Sequence, residues 1–124
     1  MYTFALLFNP QKKYTMSQTS IVLQNGKNSL KVDYLRTKKA ALILRAVNHK
    51  LRQQMIKLID DKQKITVTEI YVKLRLEQSV ASQHLAILRR AGIVATTRDG
   101  KFIYYSVNYP RLAEVVKFTD DLLG

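Results

Sequence analysis

Residues 77–107, EQSVASQHLAILRRAGIVATTRDGKFIYYSV, constrain this chain more than any other stretch. They begin with Ala81, Leu85 and Leu88 at i, i+4 and i+7, the apolar stripe of an amphipathic helix. Gln78, Ser79, Ser82 and Gln83 fall on the opposite side. The run ends in Arg89-Arg90-Ala91 and then Gly92, a cationic last turn followed by the residue that best tolerates a left-handed cap. Residues 93–97 and 102–107 read as two strands, rich in β-branched and aromatic side chains. Between them Asp99-Gly100 offers the positive φ angles of a two-residue hairpin turn.

A short polar-faced helix that leads directly into a basic β-hairpin predicts a winged helix-turn-helix presenting that helix to double-stranded DNA. The fold class expected is therefore mostly α with a small β-hairpin wing. The chemistry of the helix face agrees. Glutamine reaches two base atoms at once, and serine hydroxyls bond bases or phosphates. None of Gln78, Ser79, Ser82 and Gln83 is needed for a core. Charge points the same way: 21 Lys and Arg against nine Asp and Glu give +12 over 124 residues. Such a field favours polyanions and speeds their capture. Nucleic acid is the leading partner and an anionic membrane surface the second. The longest apolar runs, residues 4–8 and 40–44, fall far short of a membrane span, so no membrane partner is expected.

At these residues a family resemblance appears. Ser82, His84 and Leu85, then Leu88, Ala91, Gly92, Ile93 and Val94, resemble the Ser-x-His-Leu and Leu-x-x-Ala-Gly-Leu-Val patterns of the ArsR/SmtB repressors. Arg98-Asp99-Gly100-Lys101 with Tyr104-Tyr105 is similar to the same family's Arg-x-Gly-Arg…Tyr-Tyr wing. The likeness covers about residues 40–123, with helix, cap and wing agreeing in order and spacing. It implies a repressor that competes with polymerase at a promoter. It also implies a homodimer whose first helix helps form the interface.

Residues 1–33 form an N-terminal arm, and residues 34–124 the winged-helix domain. Within the arm, Asn9-Pro10 ends the short apolar run, and Met16 offers an alternative start. Asn25-Gly26 between Ile-Val-Leu and Leu-Lys-Val suits a small hairpin; a flexible arm is the alternative, slightly favoured. Lys12, Lys13, Lys27 and Lys31 would let such an arm touch DNA, although a charge run is usually only solvated. Residues 40–47 are apolar around much of a helix, more than one small domain hides, and such a helix often packs on a second subunit. Asn48 then caps a second helix, residues 49–61, which buries Leu51, Met55, Leu58 and Ile59 and leaves Arg52 and Lys57 on a basic outer face. Ile65 makes a short strand against the wing. Thr66 or Thr68 starts a third helix that runs to about Leu74; Thr66 and Glu69 have capping-box spacing, and Ile70 and Leu74 turn to the core.

The turn Arg75-Leu76-Glu77 departs from the family, which has Gly, a hydrophobe and Ser there. A left-handed Arg75 costs about 1 kcal/mol, and Glu77 caps poorly although its charge suits the helix dipole. Asn108 and Pro110 open the last helix, with Leu112, Val115, Val116, Leu122 and Leu123 as its apolar face and Phe118 beside it. That segment holds two basic and three acidic residues, so its net charge is −1. It therefore points away from DNA and toward a partner subunit. The expected dimer interface is Leu42 and Leu44 of the first helix with Leu112, Val115, Val116 and Leu122 of the last. Expected base-reading residues are Gln78, Ser79, Ser82 and Gln83; Arg98 and Lys101, assisted by Arg52 and by Arg89 or Arg90, neutralise DNA backbone charge.

No enzyme constellation is present. The four glycines form no phosphate loop, and the two histidines have structural places: His84 behind the reading helix with one ring nitrogen bonded, His49 at a helix start on the surface. Cysteine is absent, which removes disulfides and thiolate sites and fits a cytoplasmic protein. The N-terminus shows no basic lead-in and no small-residue cleavage site, so no signal peptide is expected. The resemblance implies metal sensing, but its ligands do not carry over. The third-helix cysteines have no counterpart around residues 69–73, and Glu114, Asp120 and Asp121 lack an accompanying histidine. No metal and no cofactor are expected. Two other uses of the fold compete with operator binding: a protein-interaction module, and a non-specific nucleic-acid binder.

Overall fold

The computed structural model describes residues 19–124. Met16, the apolar run at residues 4–8, Lys12 and Lys13 lie outside the described residues. The chain divides into two compact units between Ala40 and Ala41.

In the first unit, β1 (Ser20–Asn25) and β2 (Asn28–Asp33) pair antiparallel with Asn25 opposite Asn28. Residues 20–33 thus form a hairpin rather than a flexible arm, and its turn is Gly26-Lys27, one residue later than Asn25-Gly26. Gly26 has φ +65°, and a positive φ at the first central position alone is the type II′ pattern. Strand alternation puts Ile21, Leu23, Leu30 and Val32 on one face of the ribbon, where all four are exposed. α1 (Tyr34–Val47) follows, and Ala46 is its one buried residue.

The second unit continues with α2 (Lys50–Lys62), β3 (Ile65–Thr66), α3 (Val67–Leu74), α4 (Gln78–Arg90), β4 (Val94–Asp99), β5 (Phe102–Val107) and α5 (Tyr109–Leu123). Its core is built from Met55, Ile59, Ile65, Ile70, Leu85, Leu88 and Ile93, all fully buried. Ile70 and Met55 turn inward as their spacing predicts, while Leu51 and Leu74 sit at the core's margin. The three strands run β3-β5-β4, all antiparallel, with Ile65 opposite Tyr105. The expected short strand against the wing is therefore present.

Local chemistry sets each boundary. Thr66 Oγ1 accepts from Glu69 N at 3.3 Å while the Glu69 carboxylate reaches back to Thr66 N, completing a capping box. α3 ends in a Schellman motif, with Leu76 N bonded to Tyr71 O at 2.9 Å and Arg75 left-handed at φ 56°. α4 ends the same way through Gly92, with Ile93 N on Leu88 O at 2.9 Å. Asn108 Oδ1 caps α5 by accepting from Arg111 N, and its amide donates to Gly92 O at 2.9 Å, tying the end of the wing to the end of α4. The second helix begins one residue later than expected: His49, not Asn48, is the N-cap, since Asn48 N is already bonded to Leu44 O.

In α5, Val115 is buried and Leu112 half-buried, but Val116, Phe118, Leu122 and Leu123 are exposed. Among the described residues, no helix is long and apolar enough to cross a membrane. Because Arg75 holds a conformation that glycine adopts without strain, Arg75→Gly should raise the unfolding free energy by about 0.5–1 kcal/mol. Chemical denaturation measures it, and a stability loss would show that the side chain contributes more than its backbone costs.

Candidate nucleic-acid interface

The interface is built on how α4 is seated. Ala81, Leu85 and Leu88 are all at 0% exposure. At 3.6 residues per turn, burying that stripe sends Gln78, Ser79, Ser82, Gln83, Arg89 and Arg90 to the opposite, exposed side. Every residue expected on the reading face is therefore exposed on one side of one helix. Glu77 is the N-cap and makes no side-chain capping bond, so one of the first backbone N–H groups of α4 lacks the partner a serine would supply.

The wing stands on the core at its root and projects at its tip. Val94 and Val107 are paired and buried, whereas Arg98, Asp99, Gly100, Lys101 and Phe102 are exposed. Asp99 lies opposite Phe102, so the turn is Gly100-Lys101 rather than Asp99-Gly100, and the first wing strand begins at Val94 with Ile93 fully buried before it. The shift puts Lys101 at the very tip, its Nζ 5.5 Å from the Phe102 ring centroid. Between α4 and the wing lies a cleft of about 380 Å³ lined by Ser82, Ala86, Arg89, Arg90 and Tyr105. Pairing of Arg98 with Ile103 and of Thr96 with Tyr105 places Arg98 on the same wing face as Tyr105.

Arg52 does not belong to this surface. It is buried, at 6% exposure, and its Nε donates to Ala46 O at 2.7 Å and its Nη2 to Arg45 O at 3.0 Å. Its Nη1 reaches His84 Nδ1 at 3.2 Å. The expected backbone contact from Arg52 is thus corrected, and of that pair only Lys57 is exposed, in ion pairs with Asp60 and Asp61. The reason is the end of α1: Leu44 O takes Asn48 N, Val47 O takes His49 N and Gln53 Nε2, and Arg52 fills the two carbonyls between. Last-turn carbonyls of a helix need such donors. His84 has the structural place expected of it, half-buried with one ring nitrogen bonded. Sequence reasoning missed Lys64, whose Nζ lies 4.8 Å over the Tyr104 ring at the wing. Only the β3–β5 register brings the two together, and that leaves no local signal.

Comparison with known proteins places this geometry. Residues 49–96 match the family described as bacterial regulatory protein, arsR family. An HTH-type transcriptional regulator of Methanocaldococcus jannaschii is 33% identical over 84 residues, covering 68% of this chain and 94% of that protein. This chain belongs to the ArsR family. The crystal structure of the transcriptional repressor PagR of Bacillus anthracis superposes with TM-score 0.57 at 30% identity, covering 70% of this chain and 99% of that one. The transcriptional activator HlyU of Vibrio cholerae is 32% identical over 79 residues, 64% of this chain and 72% of that protein.

As an ArsR-family transcriptional regulator, the protein is a DNA-binding winged helix and not an enzyme. The metal chemistry that the family implies does not fit the donors present. Among the described residues, no three of His, Asp and Glu come together as a metal site, and the sequence has no cysteine. On α5, Asp121 is held by Lys117 at 2.8 Å, and Glu114 lies 3.9 Å from Arg111.

Glu77→Ser should supply the missing cap and remove a carboxylate from the start of the reading helix. Thermal unfolding should show a gain of about 0.5–2 kcal/mol, and affinity for duplex DNA should rise with it. A variant that is stabilised yet binds duplexes no tighter would place the α4 N-terminus away from phosphate.

Proposed function

We propose that the protein is a cytoplasmic, homodimeric repressor that reads an inverted-repeat operator with α4 and straddles the flanking backbone with its wing. One observation carries the reading: the six-residue polar side of α4 and the cationic wing tip face solvent on either side of one cleft, which itself holds Arg89, Arg90 and Ser82. Gln78, Ser79, Ser82 and Gln83 contact base edges or adjoining phosphates. Arg89, Arg90, Arg98 and Lys101 neutralise backbone charge, and Lys64 joins them at the root of the wing. Phosphate contacts supply most of the affinity, and the two glutamines most of the discrimination. Repression follows from occupying promoter DNA that polymerase needs, as the name of the Bacillus anthracis relative suggests.

Dimerism is supported by surface that the described chain leaves uncovered. Leu42 is 50% exposed and Leu122 69%, and Val116 and Phe118 are exposed as well. Leu44 and Leu112 are half-buried and Val115 is buried, so in the dimer they back the contact rather than form its outermost layer. A two-fold axis through α1 and α5 buries these residues and sets two α4 helices about 34–36 Å apart, or a multiple of that, to meet successive major grooves.

Selection of bound sequences from a random duplex pool tests the proposal directly: a palindrome is expected, and equal recovery of unrelated duplexes would overturn sequence reading. Gln83→Ala should flatten preference among operator variants by about 1–3 kcal/mol per half-site; an unchanged preference would remove Gln83 from the reading face. Leu122→Glu should sediment as a folded monomer and lose operator binding where the parent saturates, because an unpartnered charge in an interface costs several kcal/mol. A parent chain already monomeric at micromolar concentration would refute the dimer.

A further inference from the structure

Beneath the reading helix lies a cluster that the proposed function does not use: Arg52 and His49 of α2 with His84 of α4. The rings of His49 and His84 are 4.9 Å apart, tilted by 51°. Arginine carries donors only. The 3.2 Å contact between Arg52 Nη1 and His84 Nδ1 therefore requires that Nδ1 be unprotonated and accept. His49 is constrained in the same way, since its Nδ1 accepts from Leu51 N at 3.2 Å and Arg52 N at 3.4 Å as the cap of α2. Each imidazole is thus held through the one nitrogen that a second proton would occupy.

We propose that Arg52 is a positioning residue for α4, acting through neutral His84, and that protonation of His84 releases the reading helix and weakens specific DNA binding. This inference rests on the DNA-reading role given to α4 above. The guanidinium joins three elements at once: the last carbonyls of α1, the first turn of α2 and the middle of α4. α4 itself contributes its buried stripe of Ala81, Leu85 and Leu88 and the half-buried Ile87, non-directional apolar contacts that fix depth more firmly than rotation about the helix axis. A site of this kind has to be held to about 0.5 Å and 10–20°, and the Arg52–His84 bond supplies a directional constraint on rotation.

The charged neighbours of the His84 ring are His49 and Arg52 from α2; α1 offers the carbonyls of Arg45 and Ala46, and its Arg45 side chain is exposed. Among the described residues, no carboxylate is paired with Arg52, His49 or His84 to offset an added proton. Burial first, and then the charges of His49 and Arg52, hold His84 below the ordinary 6.5 of a free imidazole. A depressed imidazole binds fewer protons in the folded state than in the unfolded one. The contribution is therefore fully present above 6.5 and is lost as pH falls through the folded value below it. Generic electrostatics has the opposite sign, because a chain gaining positive charge binds polyanions more tightly. The direction of the pH effect separates the two.

The experiment uses the full chain and a duplex enriched on it from a random pool at pH 7.5, with affinity followed down to pH 5.5 at constant ionic strength. Specific affinity should weaken with acid, by about tenfold per pH unit at most for each proton excluded. His49→Asn/His84→Asn should bind normally at pH 7.5 with a flat profile, since asparagine Oδ1 replaces each accepting Nδ1, caps a helix well and does not titrate. Arg52→Lys, which cannot fork to three acceptors, should bind weakly at every pH while still folded. Unchanged or tighter binding by the parent at pH 5.5, or an equal loss in the double variant, would overturn the proposal. Amide exchange of the free parent decides the matter without DNA. Residues 49–53 and 78–90 should lose protection relative to Ile59 between pH 7.5 and 5.5, after correction for intrinsic rates. Unaltered protection there overturns the strut. Failure to enrich any duplex would instead count against the reading role of α4, leaving exchange to judge Arg52.

Discussion

The structure depends on the seating of one helix stripe. Burying Ala81, Leu85 and Leu88 removes three apolar side chains from water, each of the two leucines worth about 1.5–3 kcal/mol. That contact fixes which residues of α4 point outward, so Gln78, Ser79, Ser82 and Gln83 need make no structural bond of their own. The same contact sets the wing. Ile93 N bonds Leu88 O, and Ile93 itself is fully buried, so the chain leaving α4 enters the core before β4 begins. Asn108 then returns to Gly92 O from the far end of β5. Helix and wing are thereby tied together at both ends of the hairpin, and the cleft between them is a consequence of core packing rather than a separate design.

What the sequence disclosed was whatever local chemistry decides. The α4 stripe, the Gly92 cap and the Thr66–Glu69 capping box all follow from neighbours within one or two turns. The hairpin turns were displaced by one residue for a definite reason. Asn-Gly and Asp-Gly suggest a turn with two positive φ angles, but Lys27 and Lys101 hold negative ones, so each glycine moves to the first central position instead. Asn48 is the better capping side chain in isolation, yet its N–H closes the end of α1, and the extended residue that can cap is His49.

Arg52 shows where local reasoning stops. Helix periodicity puts it beside Lys57 on a basic face, and nothing within α2 contradicts that. Its burial depends on α1 ending directly above it with carbonyls that have no other donor, and on His84 approaching from thirty-two residues away. An arginine at 6% exposure with three directed partners is held by tertiary geometry alone. Lys64 is a smaller case of the same kind, since a two-residue strand brings it to an aromatic ring of the wing.

The distribution of ion pairs bears on how the +12 charge is used. Among the described residues, the four salt bridges are local to α2 or α5 and engage Lys57, Arg111 and Lys117. Exposed pairs of this spacing are screened by solvent, so they do little for stability, but they neutralise acidic side chains where they occur. Arg89, Arg90, Arg98 and Lys101 take no part in any of them among the described residues. A cation without a protein carboxylate loses no ion pair when it meets a phosphate, and its gain comes from counterions released by the DNA. The stretch from Gln78 to Val107 holds those four cations and one acidic residue, Asp99. In the proposed function, base discrimination and backbone attraction rest on different side chains of one surface, which would leave the glutamines free to vary in what they read without altering the electrostatic capture that precedes reading.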